Sequence, residues 1–198
     1  MTGGNEGKIV FWNQSLAPTK TIEMTEKVKF SPGLRSIDVG TNTMLVGTRG
    51  ADVLELNMEG EKTRTIVQGH FMGVTKNAEV WGLAVHPTEQ RFASAGADKT
   101  VRVFEPARMI AVSEQLTHDP TAVSWSPDGS LIVIGDRNGS CLLLDANDLS
   151  VKSTYNGSFA GKKDAWIEDI KFSPDGTMIA YGYHGGLSPL EIVQIGPQ

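Results

Sequence analysis

The chain contains four histidines, the side chain most often used as a metal ligand, and one cysteine. The histidines are separated by 16, 32 and 66 residues: His70, His86, His118 and His184. No Cys-x-x-Cys or His-x-x-x-His spacing accompanies them, so the sequence predicts neither a metal site nor another cofactor. The lone Cys141 excludes an internal disulfide and is compatible with a reducing compartment.

Patterns typical of nucleophilic or acid–base catalysis are also missing. The sequence has no Gly-x-Ser-x-Gly elbow, no Gly-x-x-x-x-Gly-Lys-Ser/Thr phosphate loop and no Gly-x-Gly-x-x-Gly fingerprint. The adjacent carboxylates Glu168 and Asp169 would point to opposite faces of a strand, so they do not predict an acid–base pair. We therefore expect no catalytic residue and a non-enzymatic protein.

Charge and hydropathy exclude two classes of partner. Lys and Arg total 18 against 23 Asp and Glu, which gives a formal net charge of −5 and no basic footprint for nucleic acid. The longest apolar runs, such as Leu131–Ile134, are far shorter than the ~20 residues needed to span a bilayer. Residues 1–7 lack the basic and apolar regions of a signal peptide, so we expect no membrane partner and a cytoplasmic location.

The elements that position these residues repeat along the chain. Residues 122–135 and 169–182 are near copies that share a Ser-Pro-Asp-Gly turn, and Pro127 and Pro174 are offset by 47 positions. Residues 82–96 form a third copy and residues 36–47 a weaker fourth. In each copy an alternating strand precedes a tight turn, an apolar strand, a second polar turn and a third strand.

Short strands that repeat every ~40–50 residues are typical of the blades of a β-propeller. The sequence predicts an all-β fold of about four and a half four-stranded blades, because the first residues resemble only the second half of a blade. The predicted segments are 1–16 (half blade), 26–68, 69–116 with an enlarged loop at 71–80, 117–163, and an atypical last blade at 164–198.

Such an arc would be open, with unpaired strand edges at both ends. Propellers close with four to eight blades, so something else must complete the ring. Two alternatives remain from the residues alone. Either the chain is part of a longer polypeptide that supplies the remaining blades, or another subunit completes the propeller.

One blade resembles a WD repeat, through Gly69-His70 and the stretch Ala97-Asp98-Lys99-Thr100-Val101-Arg102-Val103-Phe104. In that family a His, a Ser or Thr and the turn Asp form a hydrogen-bonded set that ends on a Trp. The resemblance implies that His70, Ser94 and Asp98 form this structural set here. Phe104 stands at the Trp position and has no indole N–H, so the set would end at Ser94.

Longer stretches resemble the echinoderm microtubule-associated protein-like family, within the second propeller of its tandem pair. The resemblance covers residues 26–183 and is carried by Trp81-Gly82-Leu83-Ala84-Val85-His86-Pro87, by residues 45–56 and by residues 134–146. It implies a non-enzymatic cytoskeletal module that binds tubulin or microtubules in the cytoplasm or in a cilium. The chain departs from the family in the 71–80 loop and in the last blade, and it lacks the family's coiled coil.

Seven residues are candidates for partner binding: Phe71, Met72, Lys76, Trp81, Lys162, Lys163 and Trp166. The first three lie in the enlarged loop, the two lysines form a small basic tip, and the two tryptophans stand where first strands begin. Packing between blades or a solvated loop would explain the same residues equally well. The alternative to a microtubule role is a general WD-repeat scaffold or adaptor that assembles other proteins.

Overall fold

A computed structural model describes residues 1–28, 31–66, 69–70, 79–106, 108–184 and 190–195. These residues form eighteen strands and no α-helix, which confirms the all-β prediction. The first two sheets contain β1 (Thr2–Gly3), β2 (Lys8–Trp12) and β3 (Pro18–Glu23), then β4 (Leu34–Val39), β5 (Thr43–Thr48), β6 (Val53–Asn57) and β7 (Lys62–Ile66).

The next three sheets complete the described chain. The third contains β8 (Val80–Val85), β9 (Phe92–Gly96), β10 (Val101–Phe104) and β11 (Met109–Val112). The fourth contains β12 (Pro120–Trp125), β13 (Leu131–Asp136), β14 (Ser140–Asp145) and β15 (Val151–Asn156). The fifth contains β16 (Ile167–Phe172), β17 (Met178–Tyr183) and β18 (Glu191–Gln194).

Each sheet is an antiparallel meander whose strands pair in chain order. The first strands of the last four sheets contact one another in succession, β4 with β8, β8 with β12, and β12 with β16. Strand β1 contacts β4 in the same way. The five sheets therefore lie side by side in an arc that is not closed, as expected for an open propeller fragment.

The core is divided among the junctions between sheets rather than collected in one place. Four apolar clusters are present, one at each of the four junctions between successive sheets. The cluster between the third and fourth sheets includes Ala95, Val103, Ile132 and Ile134, all fully buried. The second, third and fourth sheets bury both faces against neighbours, and the first and fifth bury one, so no sheet in the described part of the chain has a complete core by itself.

The Ser-Pro-Asp-Gly turns have the same geometry in both copies. Asp128 accepts hydrogen bonds from the Ser126 hydroxyl at 2.6 Å and from the Ser130 backbone N–H at 3.0 Å. Gly129 has φ +75°, in the left-handed region that favours glycine. In the second copy, hydrogen bonds from Ser173 and Thr177 lower the pKa of Asp175 to about 2.

The first sheet extends beyond the predicted half blade at 1–16. Strand β3 pairs with β2 from Pro18 to Glu23, and the short β1 adds a third strand. Five of the six residues of this outer strand are exposed and Ile22 alone is buried, so the sequence contains no apolar alternation from which to predict it.

The last sheet has three described strands, and its third strand is held by a carboxylate. Glu191 accepts hydrogen bonds from the hydroxyls of Tyr181 at 2.8 Å and Tyr183 at 3.1 Å. It also accepts from the backbone N–H of Ser158, in the loop that leads from the fourth sheet. These contacts fix β18 against β17 and against the loop at Ser158.

Candidate docking surface

The loop before β8 brings His70 into the third sheet, where it is fully buried. Its Nδ1 lies 2.9 Å from Oδ1 of Asp98, and its Nε2 lies 2.7 Å from Oγ of Ser94. Strand β9 supplies Ser94, and the turn after β9 supplies Asp98, which also accepts from the backbone N–H of Thr100 at 3.1 Å. The structure thus brings the three residues of the predicted structural set together.

The protonation of this set follows from its burial. Desolvation lowers the pKa of His70, against the opposing effect of Asp98, so the imidazole is neutral near pH 7. For Asp98, burial acts to raise the pKa, but the hydrogen bond from His70, that from Thr100 and the Arg102 charge together lower it. His70 therefore donates from Nδ1 to the carboxylate, and Ser94 donates its hydroxyl proton to Nε2.

The same three residue types in this order would act as a catalytic triad in an open site. Here Ser94 and His70 are both fully buried, so no substrate can reach the hydroxyl oxygen. Cys141 is no better a nucleophile, because burial raises the pKa of its thiol to about 12. Among the described residues no group of His, Cys, Asp and Glu could hold a metal ion.

The predicted tryptophans lie on a different part of the surface, the face where the first strands β4, β8, β12 and β16 begin. We call it the strand-start face. Trp81, in β8, and Trp166, just before β16, lie there with ring centroids 6.3 Å apart. The guanidinium of Arg137, from the turn after β13, lies 4.3 Å from the centroid of Trp166 and 5.3 Å from that of Trp81. These three residues come from three sheets and form what we call the Trp–Arg stack.

Other cations extend this surface toward the second sheet. The guanidinium of Arg35, in β4, lies 4.8 Å from the Trp81 ring centroid. Arg35 also binds Glu79 through both carboxylate oxygens, at 2.6 and 3.2 Å, and Arg49 binds the same carboxylate at 3.1 Å. Two arginines share one buried carboxylate, so this part of the surface has a positive excess.

The basic tip lies beside the stack. The loop that carries Lys162 and Lys163 packs on the turn of Arg137, because the Gly161 N–H donates to the carbonyl of Asn138 at 2.8 Å. Both lysines are exposed, and Lys162 lies 4.5 Å from the ring centroid of Phe159.

On the other side of Trp166, His184 lies 4.3 Å from the indole and binds Glu168. Glu168 also accepts from the Trp166 indole N–H at 3.0 Å. This side of the stack is therefore occupied by a paired carboxylate, in contrast to the side of the lysines.

The remaining candidates from the enlarged loop, Phe71, Met72 and Lys76, lie outside the described residues. Arg35 and Arg137 contact the predicted tryptophans, yet neither was singled out from the sequence. Arg137 stands in the Asp136-Arg137-Asn138-Gly139 turn, where a charged residue is usually a solvated loop position. Only the packing of three sheets places its guanidinium on two indoles.

The opposite face contains a cavity of about 500 Å³ between the second and third sheets. Arg64 and Arg91 line it, but their charges are paired, Arg64 with Glu55 at 3.1 Å and Arg91 with Glu105 at 3.1 Å. A smaller cavity of about 250 Å³ lies between the fourth sheet and the connector at residues 116–118, next to His118.

In the part of the chain that the structure describes, no helical segment has the length and hydropathy that a membrane span requires.

Comparison with known proteins agrees with this architecture. Residues 60–105 and 112–145 match the family described as WD domain, G-beta repeat. The chain is 29% identical to echinoderm microtubule-associated protein-like 2 of Rattus norvegicus over 187 residues, which is 93% of this chain and 26% of that protein.

Two further relatives align over almost the same part of the chain. Echinoderm microtubule-associated protein-like 1 of Mus musculus is 27% identical over 92% of this chain and 21% of its own length. The 77 kDa echinoderm microtubule-associated protein of Strongylocentrotus purpuratus is 28% identical over 92% of this chain and 25% of its own length. The chain thus spans about a quarter of the length of the curated relatives it matches, carries WD40 repeats, and is similar over nearly its whole length to the echinoderm microtubule-associated protein-like family.

Proposed function

We propose that this chain is a non-enzymatic binding module of a microtubule-associated WD-repeat protein. The main support is the similarity to three proteins named as microtubule-associated, over more than nine tenths of the chain. Ser94 is buried, and burial raises the pKa of the Cys141 thiol, so neither of these two nucleophiles is available to a substrate. A cytoskeletal location, including ciliary microtubules, belongs to this proposal.

Electrostatics limits how such a module can bind. The surface of tubulin is strongly acidic, and the chain itself has a net charge of −5, so overall charge opposes association. Binding must use a local basic surface. The strand-start face provides one, with Lys162 and Lys163 exposed beside the Trp–Arg stack. We assign Trp81, Trp166 and the two lysines to the contact, and propose that Phe71, Met72 and Lys76 extend it.

A pelleting assay against polymerised tubulin tests this function. The wild-type chain should co-sediment, and Lys162→Glu/Lys163→Glu should reduce the pelleted fraction several-fold because it reverses two charges at an exposed tip. The matched control Lys20→Glu/Lys62→Glu makes the same change on the outer strands β3 and β7 and should leave pelleting unchanged. A second variant, Phe71→Ala/Lys76→Glu, tests the enlarged loop separately.

Failure of the wild-type chain to pellet would contradict the microtubule role. The WD40 repeats at residues 60–105 and 112–145 favour a general scaffold as the second candidate function. That function predicts discrete soluble partners in a pull-down and no enrichment on microtubules, in the cytoplasm or in cilia. An equal loss of pelleting in the lysine variant and its control would show that the strand-start face does not contact the microtubule.

A further inference from the structure

The Trp–Arg stack presents a guanidinium with unused hydrogen-bonding capacity. Arg137 has 39% of its side chain exposed, and its ion-pair partner among the described residues is Asp119 at 3.4 Å. That distance is long for a charge-assisted bond, which is usually about 2.7–2.9 Å. The guanidinium lies against both indoles, 4.3 Å from the centroid of Trp166 and 5.3 Å from that of Trp81, and its exposed part can offer N–H groups to a planar anion.

The surroundings of the stack add positive charge in a chain that is acidic overall. Arg35 and Arg49 share the single carboxylate of Glu79. Lys162 and Lys163 form no ion pair among the described residues of the chain. Among the described residues Asp119 pairs with Arg137 and Glu168 pairs with His184, and Asp164 follows the two lysines, so the exposed positive charge of this face lies mainly in Lys162 and Lys163.

The stack also contains a donor without an acceptor. Among the described residues, the buried indole N–H of Trp81 has no hydrogen-bond partner, whereas the indole of Trp166 donates to Glu168. Buried donors without partners are rare in folded proteins, and each needs an explanation. A ligand that rearranges Arg137 and brings a carbonyl or carboxylate oxygen to Trp81 would satisfy it.

These features select among ligand classes. A pair of tryptophans can hold a methylated lysine, but here the guanidinium of Arg137 occupies the aromatic surface and would repel a cation. The cavity on the opposite face offers no comparable site, since Arg64 and Arg91 are already paired with glutamates. A carboxylate suits the free edge of Arg137, and several carboxylates in an extended segment would reach the lysines and Arg49.

We propose that the Trp–Arg stack and the cations around it form a recognition site for an acidic peptide segment of a partner protein. One carboxylate of the segment binds the N–H edge of Arg137, and neighbouring carboxylates face Lys162 and Lys163. This inference rests on the proposal that the strand-start face is the docking surface, and it names the chemistry that this face recognises.

The test measures binding of the full chain to a fluorescein-labelled dodecapeptide of alternating Glu and Gly. Fluorescence anisotropy of the label gives the dissociation constant. The Glu peptide should bind, and the matching Gln peptide should bind at least tenfold more weakly. Raising the salt concentration should weaken the binding of the Glu peptide, because exposed charges are screened.

Three variants locate the site. Arg137→Gln should weaken binding of the Glu peptide by roughly tenfold, since it removes the charge and the planar fork. Arg137→Lys keeps the charge but cannot pair with the carboxylate in the same bidentate manner, so it should also weaken binding. Arg91→Gln removes one arginine on the opposite face and should change the dissociation constant less than twofold. Thermal unfolding verifies that each variant is folded.

Equal binding of the Glu and Gln peptides would overturn the proposal, and so would equal losses in Arg137→Gln and Arg91→Gln. Tighter binding of a single-stranded oligonucleotide than of the Glu peptide would also overturn it, because the site would then recognise phosphate. The microtubule pelleting assay separates this inference from the proposed function. Peptide binding without pelleting refutes the microtubule role alone, and pelleting without peptide binding refutes the acidic-peptide site alone.

Discussion

The third and fourth sheets, β8–β11 and β12–β15, have the same topology but are stabilised by different contacts. In the third sheet His70 is fully buried and lies 2.9 Å from Asp98. In the fourth sheet His118 has 43% of its side chain exposed, and its Nδ1 lies 3.5 Å from Oδ2 of Asp136. One histidine is therefore part of a core, and the other is a surface group.

The difference begins at a glycine that recurs near the end of the second strand of each sheet. Gly96 is the last residue of β9, and Gly135 is the last but one of β13. A Cβ at Gly96 would lie 2.4 Å from the imidazole of His70. A Cβ at Gly135 would instead lie 2.4 Å from the side chain of Ile167, which comes from the next sheet. The same small residue thus accepts a polar ring in the third sheet and an aliphatic side chain in the fourth.

The fourth sheet, which has no buried histidine, buries more aliphatic side chains than the third. All six residues of β12 and all six of β13 are buried, and Ile132 and Ile134 are fully so. The second strand of the third sheet is Phe92–Gly96, with three small residues at its centre. Each buried CH₂ group contributes about 0.8 kcal/mol to the free energy of unfolding, so aliphatic packing stabilises the fourth sheet without a buried histidine. The third sheet has less aliphatic volume and relies on the His70 hydrogen bonds.

The largest effect is expected from His70→Ala. It leaves a cavity and removes the hydrogen-bond partner of Ser94 and one of the partners of Asp98, so the free energy of unfolding should fall by about 3 kcal/mol. The matched control His118→Ala removes an exposed pair and should change it by less than about 0.5 kcal/mol. Urea denaturation of the two variants measures the difference. Similar losses in both would contradict the contrast between the two sheets.

A smaller effect is expected from Gly96→Ala. The added methyl group would collide with the His70 ring, and such overpacking should cost about 2 kcal/mol. Gly182 ends the same repeat pattern in the fifth sheet, where a Cβ would meet nothing within 4 Å. Gly182→Ala should therefore be neutral or slightly stabilising. Thermal unfolding compares the pair, and an equal loss at Gly182 would show that the space beside His70 is not the cause.

The smallest effect is a loss of stability on mild acidification. Burial lowers the pKa of His70 in the folded chain, so the unfolded state binds more protons as the pH falls below its usual value of about 6.5. Stability should be fully present above that pH and should decline as the pH falls toward the lowered pKa. Burial also lowers the pKa of His86, so part of the decline belongs to it.

Denaturation of wild type, His70→Gln and His86→Gln at pH 7.5 and 5.5 separates these contributions. The free energy of unfolding should change less between these two pH values in each variant than in wild type, and least in His70→Gln. The pKa of Asp98 is lowered, so its contribution is lost only in stronger acid, below about pH 4. An unchanged slope in His70→Gln would mean that this imidazole does not titrate with unfolding.

Turn chemistry explains why much of the fold was predictable. Asp128 and Asp175 accept hydrogen bonds from residues within three positions of themselves, so Ser-Pro-Asp-Gly specifies its turn locally. In the structure β6, β10 and β14 follow the second polar turn of three copies, as the repeat pattern predicts. The outer strand β3 lies outside the predicted half blade at 1–16, because exposed polar strands carry no apolar pattern.

The site was less predictable, because its contacts join different sheets. Trp81 and Trp166 could be chosen by their position at the start of a strand, but the guanidinium of Arg137 that lies on both could not. Glu79, which binds two arginines from the second sheet, gave no signal either. The residues of such pairs are 29 or more positions apart in the sequence, and no local rule connects them.

The sequence by itself determined the repeated strand and turn order, the absence of recognisable catalytic patterns, and the candidate residues of the buried histidine set. The strand and turn order depends on hydrogen bonds and side-chain alternation within a few neighbouring residues. The histidine set, whose members lie 24 and 28 residues apart, followed from the resemblance to a WD repeat. The tertiary structure decided which side chains meet across sheet junctions: Ile167 beside Gly135, and Arg137 against two indoles. The reason is geometric, since the lateral packing of whole sheets fixes those distances, and packing depends on all the buried side chains together.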